Sequence, residues 1–82
     1  MQEEKIRLNT VDKVFDFSKK IINFDEDIDI KTIDSPSNTF DAKSLMSLFC
    51  LDLSRELIVT INTSDNNSIE KFKALAEQFK WG

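Results

Sequence analysis

The chain has 82 residues, 40% of them apolar and 32% charged, with one glycine and one proline; this describes one folded domain over 1–82, not a disordered or linker-rich chain. It contains no histidine and one cysteine, Cys50, which excludes imidazole acid–base chemistry, histidine phosphorylation, His-liganded metal, an internal disulfide and a Cys-rich zinc site. Eleven basic residues against 15 acidic ones give a formal charge of −4, so no basic surface for direct nucleic-acid binding is expected.

Glu4-Lys5-Ile6-Arg7-Leu8 alternates charged and apolar, the period of a half-buried strand with Ile6 and Leu8 facing in. Asn9 and Thr10 each suit a helix N-cap, and Asp12 in the following turn complements the helix dipole. Val11, Val14, Phe15, Ser18, Ile21 and Ile22 recur at helical spacing, with Phe17 and Phe24 widening the stripe, which predicts a helix over 10–24. Ile28 and Ile30 alternate with Asp and Lys in a second strand. The acids Asp25, Glu26, Asp27 and Asp29 lack the ligand spacing and the glycine of a calcium loop, and read as a solvated strand edge.

Asp34-Ser35-Pro36-Ser37-Asn38 is the strongest turn cluster, followed by a short return strand at Thr39-Phe40-Asp41. Ser44 suits the N-cap of a short helix that is apolar round most of its surface. Leu45, Leu48 and Phe49 share one of its faces, while Met46, Phe49, Cys50 and Leu53 share an overlapping one. Glu56–Asn62 is the best strand, with Leu57, Val59 and Ile61 on one face. Asn67 and Glu70 have capping-box spacing before a stripe of Ile69, Phe72, Leu75, Ala76 and Phe79. Trp81 is placed to cover the end of the core or to mark a dimer contact. The order β-α-β-β-α-β-α with amphipathic strands predicts an α+β fold, its antiparallel or mixed sheet covered on one face by helices.

This order, and several stretches within it, resembles HPr, the histidine-containing phosphocarrier of the bacterial sugar phosphotransferase system. Ala42-Lys43-Ser44-Leu45-Met46 is similar to the family's regulatory serine and the start of its short helix, and Ile58-Val59-Thr60-Ile61 to the strand that follows. Phe24 through Ile28-Asp29-Ile30 is similar to the end of its first helix and its second strand. The resemblance implies an open-faced β-sandwich with a four-stranded antiparallel sheet. It also locates departures. The family's active loop carries a His followed, one residue on, by Arg-Pro; here the loop is shorter, with Thr10 near the His position, Asp12 near the Arg and Lys13 near the Pro. Threonine forms no phosphoramidate, and Asp12 repels phosphate. The family's glycines between short helix and strand are replaced near Asp52 and Glu56, and the loop before Thr39 is longer.

The implied function is regulatory. The catabolite repression HPr of Bacillus-like bacteria lacks the active His but keeps the serine, which a kinase phosphorylates to make a corepressor for a transcriptional regulator. Ser44 stands at that serine's place, where a phosphate would add about −1.5 to −2 charge at a helix start; its plain reading is an N-cap. Phe15, Phe17, Leu45, Met46 and Phe49 match the family's apolar partner-binding patch. Expected partners are proteins of the phosphotransferase system or a transcriptional regulator, with the chain a monomer or a strand-exchanged dimer. Two alternatives are a phosphotransferase component with another phosphoacceptor and a small adaptor unrelated to sugar transport. An enzyme is not expected, since Cys50 has no His to serve as its base and reads as an inert core thiol. Neither cofactor nor metal is expected. No apolar run approaches the ~20 residues that span a bilayer, and the start Met1-Gln2-Glu3-Glu4 is unlike a secretory signal. A cytoplasmic protein is the expectation.

Overall fold

A computed structural model describes residues 1–35 and 37–80; Pro36 of the turn cluster and Trp81 lie outside them. The elements run β1 (Gln2–Ile6), α1 (Val11–Ile21), β2 (Ile28–Thr32), β3 (Phe40–Asp41), α2 (Leu45–Phe49), β4 (Leu57–Ile61) and α3 (Asn66–Glu77). The four strands form one antiparallel sheet in the order β1-β4-β2-β3. The registers Ile6↔Leu57↔Thr32 and Glu4↔Val59↔Ile30 align the inward positions of three strands. Strand alternation then buries Ile6, Ile28, Ile30, Leu57, Val59 and Ile61 beneath the helices. The opposite face is open and carries Glu3, Lys5, Asp29, Lys31 and Ile58. The architecture is the expected α+β open sheet with helices on one side.

The core joins that inward face to Val14, Phe17 and Ile21 of α1, Leu48 of α2, and Phe72, Leu75, Ala76 and Phe79 in and after α3. Phe17 meets Phe79 edge to face at 5.5 Å between centroids, and Phe24 meets Phe72 at 6.3 Å.

Several local expectations are corrected. The first strand lies two residues earlier than its alternation suggested. Leu8 is still buried, but the ladder with β4 ends at Ile6, opposite Leu57, and the Arg7 N–H on the outer edge donates to the Phe79 carbonyl at 2.7 Å. α1 stops at Ile21 because its tail tightens: the N–H groups of Asn23 and Phe24 bond three residues back, to Lys20 and Ile21. The cap of α3 is Asp65, not Asn67; its carboxylate accepts the Ser68 N–H at 3.3 Å and the Ser68 hydroxyl at 2.8 Å. Those two bonds hold the Asp65 carboxyl below its usual range.

Cys50 is exposed, not a core thiol. In a helix of five residues only one side chain per turn can point straight in, and that one is Leu48. Cys50 follows it by two positions, roughly 200° round the helix, on the solvent side.

Candidate functional site

Two short caps place the candidate residues. Thr10 begins α1, its Oγ1 accepting the Lys13 N–H at 3.2 Å, while Lys13 Nζ donates to Asn9 Oδ1 at 3.1 Å. Thr10 is exposed, and its hydroxyl serves the helix start. Only Arg7–Thr10 separates β1 from α1, so no extended loop stands there to wrap a phosphate.

Ser44 begins α2. Its Oγ accepts the Ser47 N–H at 3.3 Å and its own N–H donates to the Asp41 carbonyl at 3.1 Å. Asp41 also fixes this turn, its Oδ1 accepting the Lys43 N–H at 2.9 Å. The Lys43 ammonium is directed elsewhere, donating to the Phe24 carbonyl past the end of α1. Ser44 is half-buried, with capping as its visible work.

Between α1 and α2 lies an apolar surface. The Phe15 and Phe49 rings meet edge to face at 6.0 Å and 67°, yet remain 44% and 46% exposed. Met46, on the same short helix as Phe49, is 83% exposed. Leu45, at the start of the same short helix, is partly buried against the core. Phe17 does not belong to it: at 1% exposure it lies in the core, against Phe79. Two positions from Phe15 on a helix means roughly 200° round it, so the two rings cannot share a face.

Val11 and Ile22, which the sequence places in the core stripe, are exposed on the flank of α1 that carries Phe15. α1 in fact bears two apolar stripes, Val14-Phe17-Ile21 turned inward and Val11-Phe15-Ile22 turned outward. The 11–15–22 spacing was a signal for this second stripe.

The acidic stretch after α1 is used within the fold. Glu26 accepts the Ser68 hydroxyl at 2.5 Å, Asp29 accepts the Asn62 amide at 3.1 Å, and the Asp27 carbonyl accepts the Asn62 N–H at 3.0 Å. Among the described residues no three His, Cys, Asp or Glu side chains gather as a metal site, and no helix is long and apolar enough to cross a membrane. Elsewhere, Asp52 is held below its usual carboxyl range by the hydroxyl and N–H of Ser54. The Lys80 ammonium is raised by Glu77 and Glu4.

No protein-family model and no curated protein matches the sequence. Solved structures do. HPr-C-His from Thermoanaerobacter tengcongensis superposes with a TM-score of 0.71 at 17% identity, over 95% of this chain and 93% of that one. The phosphocarrier protein HPr from Bacillus anthracis superposes with a TM-score of 0.69 at 20% identity, over 95% of each chain. The strand order, the helix-covered face and the near-complete overlap make this an HPr-like protein in its fold.

Proposed function

We propose that the chain is an HPr-like protein of the sugar phosphotransferase system that carries no phosphoryl group and acts in the cytoplasm as a regulatory protein-interaction module. The observation that carries this reading is the exposed Phe15–Phe49 pair, with Met46 on the same short helix as Phe49, on an HPr fold whose sequence contains no histidine. Large apolar side chains clustered on one face support protein docking. A short β1–α1 connection and a Thr10 committed to capping support the loss of carrier chemistry. The partners proposed are phosphotransferase-system proteins or a transcriptional regulator, with Ser44 as the phosphorylation site that controls docking. The reading is non-enzymatic: Cys50 is exposed, and no imidazole exists to activate it.

Incubation with phosphoenolpyruvate and the general phosphotransferase enzyme, read by intact mass, tests the carrier question; the expected result is no added phosphate, and a phosphorylated product overturns the reading. The same measurement with ATP and the serine kinase is expected to add one phosphate, lost in Ser44→Ala.

A further inference from the structure

β1 and β3 are the edges of the sheet, and β3 is only two residues long, so β1 is the long free edge. Its backbone polarity follows from the ladder. The Glu56 carbonyl accepts from Ile33 and the Asn62 N–H donates to Asp27, so the even-numbered residues about β4 face β2 and its odd-numbered residues face β1. Gln2, Glu4 and Ile6, opposite Ile61, Val59 and Leu57, therefore hydrogen-bond inward. Glu3 and Lys5 direct both N–H and C=O outward, the same way as the Arg7 N–H that reaches Phe79. Among the described residues nothing pairs with the outward backbone of Glu3 and Lys5 except the Gln2 side-chain amide, 3.4 Å from the Glu3 carbonyl.

We infer that this edge pairs with the same edge of a second copy, antiparallel and centred on Glu4. Only registers whose paired numbers sum to an even value keep opposing side chains on one face. With the sum at 8, Glu3 of each copy stands opposite Lys5 of the other, and these are the residues with outward backbone. Four N–H···O=C bonds then form between intact protomers, and two Glu–Lys pairs form on the open face. With the sum at 10, Lys5 meets Lys5 and the occupied Arg7 N–H is needed; with the sum at 6, Glu3 meets Glu3. Charges on an edge strand ordinarily block pairing, but these are self-complementary in one register alone. Glu4 then faces its twin on the helix side, with the Lys80 ammonium 3.4 Å from each carboxylate to offset the repulsion.

The experiment uses the full chain in sedimentation equilibrium from micromolar to millimolar concentration at low salt. The wild type is expected to associate weakly and reversibly. Glu3→Lys and Lys5→Glu, both at exposed positions, are each expected to weaken association roughly tenfold or more, because two attractive cross-strand pairs become repulsive. An equimolar mixture of the two variants is expected to associate again, since one copy then presents lysine at both positions and the other presents glutamate at both. Unchanged melting temperatures show that both variants are folded. A wild type that stays monomeric, association indifferent to both substitutions, a mixture that stays monomeric, or a dimer that survives dilution as a strand-exchanged species overturns the inference.

Discussion

Phe15 and Phe17 are two residues apart on one helix and have opposite roles. Phe17 is enclosed by the core, so Phe17→Ala leaves a cavity and is expected to cost about 3–5 kcal/mol, read as a lowered denaturation midpoint. Phe15→Ala removes a half-exposed ring and one edge-to-face contact, with an expected cost of about 0.5–1.5 kcal/mol. If Phe15→Ala proved as damaging as Phe17→Ala, the outward apolar surface would be a structural seam and not a docking face. Cys50 makes an independent check on the same short helix. Its exposure predicts that a maleimide labels the native protein without prior unfolding. Labelling that waits for unfolding would place the thiol inside after all.

At the scale of elements, the caps decide how Ser44 can be studied. Its hydroxyl accepts the Ser47 N–H, so Ser44→Ala removes a cap and is expected to destabilise by about 0.5–2 kcal/mol. Ser44→Asp keeps a side-chain acceptor and adds charge, and is expected to leave stability nearly unchanged. A docking defect in Ser44→Asp with an unchanged denaturation midpoint would therefore report charge at this position, which Ser44→Ala cannot do cleanly. Element order and type were legible in the sequence because strand alternation and helical stripes carry the hydrophobic signal directly; Leu57-Val59-Ile61 and Ile69-Phe72-Leu75-Ala76-Phe79 are buried as read, apart from Ile69, which is half-buried. Which stripe of α1 faces the sheet was not legible. Val14-Phe17-Ile21 and Val11-Phe15-Ile22 both have helical spacing, so spacing alone does not select between them. The burial of α2 was equally hidden, because an all-round apolar run does not say that just Leu48 points straight in.

Across the whole molecule, the absence of histidine has a consequence for stability as well as for chemistry. No imidazole titrates between pH 5 and 8. The perturbed groups lie at the two ends of the scale. Asp52 and Asp65 are held below the ordinary carboxyl value of 3.8, so the folded chain binds these protons less readily than the unfolded one. Their stabilisation is present above that value and is lost as the pH falls through the lowered one. Lys80 is raised above 10.5 by Glu77 and Glu4, so its stabilisation is complete below that value and is lost as the pH rises through the raised one. All three groups sit at the surface, so each effect is small and screened by salt. The expected profile of melting temperature is a plateau from about pH 5 to about pH 9, with losses confined to acid and to strong alkali. Asp65→Asn, which keeps an N-cap acceptor but not the charge, is expected to flatten the acid limb while changing the plateau little. Scanning calorimetry from strong acid to alkali checks this directly. A step in melting temperature near pH 6.5 would mean that a carboxyl group is raised far from its usual range inside the fold, contrary to the surface carboxylates described for Asp52 and Asp65.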